Sequence, residues 1–374
     1  MKVALITPIM NKESKIGMSR YSWVLYEGFR KNNLEVSVVK FSDDKIYEKL
    51  KKFVNKIFPF WALKDFLLAI FRKTEIYHFI CPELMYYPLA IFQMYLIKKI
   101  LRKKIVLTMH DMMTLEGSEG KSFSTIIANF FIKELINYSD KIVANSIQTK
   151  KEIDAKIGLN KKKVEVVELG VEKEYIPQKE FENENFVVGY YGAFDEVEDP
   201  QYSLRCFNFL ENKEKEKFSM QMVGGGKELQ NCVNLAKELK IKNLTINGFS
   251  VEDESLLEYD SSSLFLFPVE TYNSFDILLF TSKYEGFGLN ILEAMACGVP
   301  VVIRDDARIT PELKKLCVVG KNEEDIANKI YEVASDKEFR DKIIKKGLNA
   351  AKNFTWDKNV EKTIKIYRKL LKNE

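Results

Sequence analysis

The chain has 374 residues, 46% of them hydrophobic, with 58 basic against 54 acidic side chains. It is long enough for two cores, because a single core stops growing near about 250–300 residues, and no apolar run reaches the roughly 18 residues of a membrane span. The five cysteines (Cys81, Cys206, Cys232, Cys297, Cys317) show no paired spacing, which excludes a disulfide framework or zinc site and fits a reduced, cytoplasmic compartment.

In chain order, Lys2-Val3-Ala4-Leu5-Ile6-Thr7-Pro8 reads as an opening strand, too short for a signal peptide. Gly17-Met18-Ser19-Arg20-Tyr21 then opens a helix. Gly17 is either a close backbone approach to a phosphate or a plain helix-start turn, and Arg20 either meets that phosphate or lies on the surface. Charge is uneven, with about 30 basic and 20 acidic groups up to residue 178. Much of the excess lies in Lys45, Lys49, Lys51, Lys52, Lys56, Lys64, Arg72 and Lys73, interleaved with Phe53, Phe58, Phe60, Trp61 and Phe66. Such a face suits either an anionic membrane surface or ordinary solvent over a core. No nucleic-acid motif accompanies it, so nucleic acid is not an expected partner.

Predicted strands at 34–39, 75–80, 104–109, 141–144 and 164–167 alternate with helical segments, which is a parallel, doubly wound pattern. His78 falls inside one strand and reads as structural. His110-Asp111 ends another, where an α/β domain displays functional groups. The polar stretch from Gln178 to Asn185 reads as a linker. A second strand set follows at 186–191, 218–223, 244–247, 276–280, 299–303 and 316–319. Gly224-Gly225-Gly226-Lys227 lacks both the dinucleotide spacing and a Walker lysine, so neither NAD nor ATP is expected. Between Gly248 and Asp276 the chain reads as an added loop or hairpin, either shaping a site or embellishing the surface.

The densest signal comes next, in Lys283-Tyr284-Glu285-Gly286-Phe287-Gly288-Leu289-Asn290-Ile291-Leu292-Glu293. A buried strand leads in, and after Gly288 the apolar spacing turns helical until Gly298 stops it. Amides at a helix start attract anions, and glycines let a diphosphate approach the main chain. Glu285 in the loop and Glu293 one turn into the helix can accept hydrogen bonds from the hydroxyls of one elongated ligand. A lone pair of glutamates would read as a dipole complement and a solvated charge, but the surrounding residues reverse that reading.

These residues resemble the signature of the family 4 retaining glycosyltransferases, in which two glutamates bracket a Gly-Phe-Gly loop. The resemblance implies the GT-B fold: α/β, two Rossmann-like doubly wound domains facing across a cleft. The first would span 1–178 and the second, donor-binding one 186–355, with a terminal helix at 356–374 packing back on the first. It implies a metal-independent, retaining hexosyltransferase of polysaccharide biosynthesis. The donor would be a nucleotide-diphosphate sugar, with no cofactor and no metal, and the acceptor a glycan or lipid-linked hydroxyl, with peripheral membrane contact.

By the same resemblance Glu285 meets the donor sugar, His110 assists at the transferred sugar, and Glu293 holds the ribose. Gly286, Phe287, Gly288, Leu289 and Gly17 would complete the donor site. Asn145-Ser146, Glu168-Leu169-Gly170 and Thr310-Pro311-Glu312 also match family positions. One departure matters. After Gly192 the family places an arginine and then a lysine on the diphosphate, but this chain has Ala193 and then Asp195, Glu196, Glu198 and Asp199. Lys283 and Arg304 are the first expected substitutes, then Arg308 and Arg20. Loss of the cations leaves an alternative, a catalytically weakened nucleotide-sugar-binding protein.

Overall fold

The computed structural model describes residues 1–7, 10, 17–40, 67, 70, 73–80, 87–110, 123–157, 163–178, 184–214, 217–247, 249–250 and 268–372. Cys81, Asp111, residues 179–183 of the expected linker, residues 251–267 of the expected added loop, and the basic and aromatic residues named from Lys45 to Arg72 lie outside these. The chain divides into two units, Met1–Leu169 with Trp356–Glu374, and Gly170–Thr355.

In the first unit, β1 (Lys2–Thr7), β2 (Glu35–Lys40), β3 (Ile76–Ile80), β4 (Lys104–Met109), β5 (Lys141–Ala144) and β6 (Val164–Val166) form one sheet. Their order is β2-β1-β3-β4-β5-β6, and every pairing is parallel. Parallel strands are covered on both faces, so their side chains are apolar in both directions. Ala4, Ile6, Tyr77, Phe79, Ile105 and Leu107 point to one core with Met94, Leu135 and Ile136. The alternate residues Val3, Leu5, Ile76, Ile80 and Val106 point to the other. There they meet Tyr21, Leu25 and Phe29 of helix Gly17–Lys31, and Val360, Ile364 and Tyr367 of helix Trp356–Lys372. Each such buried side chain contributes about 1.5–3 kcal/mol of transfer free energy.

His78 sits fully buried in this sheet. Both its ring nitrogens are used: Nδ1 lies 2.5 Å from the Tyr367 hydroxyl and Nε2 2.7 Å from the Thr108 hydroxyl. It is therefore a tie between β3, β4 and the terminal helix. Burial, helped by the nearby His110, holds its pKa down at about 3.

The second unit repeats the plan with β7 (Phe186–Tyr191), β8 (Phe218–Val223), β9 (Leu244–Ile246), β10 (Phe249–Ser250), β11 (Ile277–Phe280), β12 (Val301–Arg304) and β13 (Val318–Gly320). The order is β10-β9-β8-β7-β11-β12-β13. The two-residue β10 is antiparallel and too short for periodicity to reveal. All the predicted strands are present, each within two residues of its expected bounds. The first unit ends short of the expected boundary at 178, because residues 171–178 are tied into the second. Val171 N–H donates to Phe354 O at 3.1 Å, Tyr175 is buried beside Tyr272, and Gln178 N–H donates to Asn273 Oδ1 at 2.7 Å. The four described cysteines are free thiols.

Tyr367→Phe should destabilise the protein by roughly 1–3 kcal/mol in urea unfolding, because it strips one partner from a buried ring. An unfolded His78 takes its proton near its ordinary 6.5 and the folded one near about 3. The associated stability is thus full above pH 6.5 and is lost as pH falls through this window. His78→Gln should flatten the decline, measured as the urea midpoint against pH.

Candidate functional site

In a doubly wound sheet, ligands bind at the strand C-termini where strand order reverses. In the second unit that point lies between β7 and β11, whose crossovers run to opposite sides of the sheet. Three loops gather there, after β7 (192–199), β11 (281–288) and β12 (305–310), and backbone hydrogen bonds join them. Lys283 N–H donates to Val197 O, Arg308 N–H to Lys283 O, and Glu285 N–H to Arg308 O, each at 2.9 Å. The Thr281 hydroxyl donates to Glu198 O at 2.9 Å, and Asn290 Nδ2 to Tyr191 O at 3.2 Å.

Helix Leu289–Ala296 starts at Gly288, whose φ of 94° and ψ of 53° lie in the left-handed region that glycine adopts most easily. The first-turn amides, without intrahelical partners, face out of the helix start. Phe287 anchors the loop, 2% exposed and edge-on to Phe354 at 5.8 Å. A Cβ on Gly224 would lie 1.8 Å from Gly192 O. That glycine turn thus lets the β7 and β8 loops touch backbone to backbone.

Glu293 is 3% exposed and accepts a hydrogen bond from the Tyr272 hydroxyl at 3.1 Å. Tyr272, on helix Pro268–Asn273, is itself fully buried. Burial and then the Glu293 carboxylate push its hydroxyl well above the usual range, so it stays a donor. Sequence reasoning missed it, because this helix lies in the stretch read as an added loop and no motif marks it.

The two first-ranked replacement cations share one protein carboxylate. Arg304 and Lys283 both meet Asp199 Oδ2, each at 3.0 Å. Arg304 is 9% exposed. Its Nε and Nη2 also donate to the two Asp306 oxygens at 2.5 and 2.8 Å, and its guanidinium lies 4.3 Å from the Tyr202 ring centre. It is held by two protein carboxylates. Half-exposed Lys283 additionally donates to Glu196 O at 3.1 Å. Asp199 precedes Pro200 at a helix start but caps nothing, since its carboxylate is used on these cations. Arg308 is exposed, its guanidinium 5.4 Å from the Tyr284 ring centre.

Gly17 and His110 belong to the first unit. Gly17 is the first residue of its helix. His110 follows β4, edge-on to Tyr21 at 4.7 Å, and its carbonyl accepts Asn145 Nδ2 at 2.6 Å. Its Nε2 is buried and, among the described residues, has no hydrogen-bond partner. Burial lowers its pKa to about 4, so at neutral pH the ring is uncharged and offers a hydrogen bond, not a cation.

Family profiles match almost the whole length. "Glycosyltransferase Family 4" covers residues 16–175 and "Glycosyl transferases group 1" covers residues 171–350. The chain is similar to an uncharacterised glycosyltransferase of Methanocaldococcus jannaschii, 25% identical over 71% of this chain and 70% of that protein. In fold it resembles a sucrose-phosphate synthase from Thermosynechococcus elongatus, 17% identical with a TM-score of 0.72 over 100% of both chains. It also resembles the Anabaena protein HepE in complex with UDP and glucose, 14% identical, TM-score 0.70, covering 99% of this chain and 100% of that one.

Arg304→Met should remove one of two cations from the partly buried Asp199 carboxylate and lower stability by roughly 1–3 kcal/mol in urea unfolding. Lys283→Met, at a half-exposed position, should cost about 1 kcal/mol or less.

Proposed function

This chain belongs to the family 4 glycosyltransferases with the GT-B fold, and on that premise we propose that it moves a hexose from a nucleotide-diphosphate sugar to a glycan or lipid-linked hydroxyl. The observation that carries this is the glutamate loop. A fixed, buried Glu293 and a loop Glu285 flank a glycine turn and an open helix start. Glu293, oriented by Tyr272, accepts from the ribose hydroxyls. The amides around Gly286, Phe287, Gly288 and Leu289 receive the diphosphate, and Glu285 accepts from the sugar hydroxyls. Neutral His110 donates or accepts one hydrogen bond through Nε2 at the transferred sugar, and Gly17 lets backbone approach a phosphate.

The transfer proceeds with retention and without a metal. The acceptor oxygen attacks from the face on which the diphosphate leaves, and the departing phosphate takes its proton. Helix amides then stabilise the developing charge, an electrostatic effect that removal of one donor typically reduces by about 100-fold or more. The protein works in the cytoplasm, in polysaccharide biosynthesis, with peripheral contact at the membrane where acceptors are lipid-linked. Among the described residues no helix is long and apolar enough to cross a membrane.

A second reading, a nucleotide-sugar-binding protein with weakened catalysis, is favoured by the capture of Arg304 and Lys283 on Asp199. A panel of nucleotide sugars and hydroxyl acceptors separates the two. The enzyme should turn over at least one donor, and Glu285→Gln should lower kcat by about 100-fold or more while nucleotide binding persists. Donor binding by the wild type without turnover would favour the binder. Glu293→Gln should act mainly on donor KM.

A further inference from the structure

Strands β8 and β9 pair as far as Met222 opposite Ile246, and Asn247 N–H adds one more bond to Met222 O at 2.8 Å. There the main chain turns away, with Asn247 at a φ of 55°, in the left-handed region where asparagine is enriched. Its side chain continues the ladder instead. Oδ1 accepts Gly224 N–H at 2.9 Å and Nδ2 donates to Gly224 O at 2.8 Å, in a residue only 4% exposed. Gly224 has a φ of 151° and lies against Gly192 O, so this turn carries no side chain of its own and takes its partner from Asn247. Backbone bonds then seat the β7 loop on the turn: Gly192 N–H donates to Val223 O at 3.1 Å, Phe194 N–H to Gly225 O at 2.9 Å, and Glu228 N–H to Phe194 O at 2.9 Å. From the β7 loop, Val197 O holds Lys283 N–H, the first of the three bonds that end on Glu285 N–H. Asn247 thus stands at the far end of one bonded path to the glutamate loop, all of it within the second unit.

We propose that Asn247 is a positioning residue for the donor site: its side-chain amide fixes the glycine turn after β8 and, through the β7 loop, the seat of Glu285. This deepens the nucleotide-sugar reading above and rests on it. A role in stability alone is separable from it. Glycine takes the same left-handed backbone and lacks only the amide, whereas alanine lacks the amide and is strained there as well.

The test is calorimetric titration of the full chain with UDP-glucose and GDP-mannose, with the urea midpoint of each variant measured beside it. Asn247→Gly and Asn247→Ala should both bind whichever donor the wild type binds about tenfold more weakly, since each loses the same two hydrogen bonds to the turn. Their midpoints should differ, with alanine the lower. Asn247→Asp, the mildest change, keeps the acceptor for Gly224 N–H but sets an oxygen against Gly224 O, so it should also weaken binding. Unchanged donor affinity in folded Asn247→Gly or Asn247→Asp, or a loss that follows the midpoint from glycine to alanine, overturns this inference and leaves the donor reading intact. No binding of either donor by the wild type overturns the reading for these two donors and the inference with it.

Discussion

Three backbone hydrogen bonds, Lys283 to Val197, Arg308 to Lys283 and Glu285 to Arg308, hold the candidate site. They join loops separated by up to about a hundred residues into one rim at the C-terminal ends of neighbouring strands. Parallel strands make this geometry available, since each strand delivers its following loop to the same sheet edge. Glycines at 224 and 288 then permit a backbone contact and a left-handed turn that side chains would obstruct. The positions of Glu285 and Glu293 therefore follow from main-chain geometry, and their own chemistry is added to it.

The electrostatics of that rim differ from the pattern the resemblance suggested. Where cations would face a diphosphate, the β7 loop carries acidic groups, and Asp199 gathers Lys283 and Arg304 into an ion network that runs from a buried guanidinium out to exposed side chains. Burying a guanidinium costs desolvation that good pairing must offset, and Arg304 is paired by reaching Asp199, Asp306 and Thr281 O together. Around Glu293 the partner is instead a neutral hydroxyl, that of Tyr272. Burial and then the Glu293 carboxylate keep that hydroxyl protonated.

Much of this was legible beforehand. The strands came from apolar runs, because parallel strands covered on both faces have no polar side to confuse the pattern. The site came from Glu285, Gly288, Glu293 and Gly298, because a strand-loop-helix switch needs those residue types at close spacing. Tyr272 was not legible, since a buried donor for a distant carboxylate leaves no local periodicity. Nor was the pairing of Arg304 with Asp199, which lie 105 positions apart. The attachment of residues 171–178 to the second unit depended on Phe354, Tyr272 and Asn273, again remote in sequence.

By itself, then, the sequence determined the two doubly wound sheets, the glutamate loop and the absence of cations after Gly192, all of which are properties of contiguous residues. The tertiary structure decided which charges meet. Lys283 and Arg304 were equally good candidates for a ligand until the folded chain put both against Asp199 Oδ2. Glu198 was one acidic residue among four until the fold set it beside Glu285 and Gly192. Coulomb energy and desolvation depend on distance and burial, and neither is written in the order of residues along a chain.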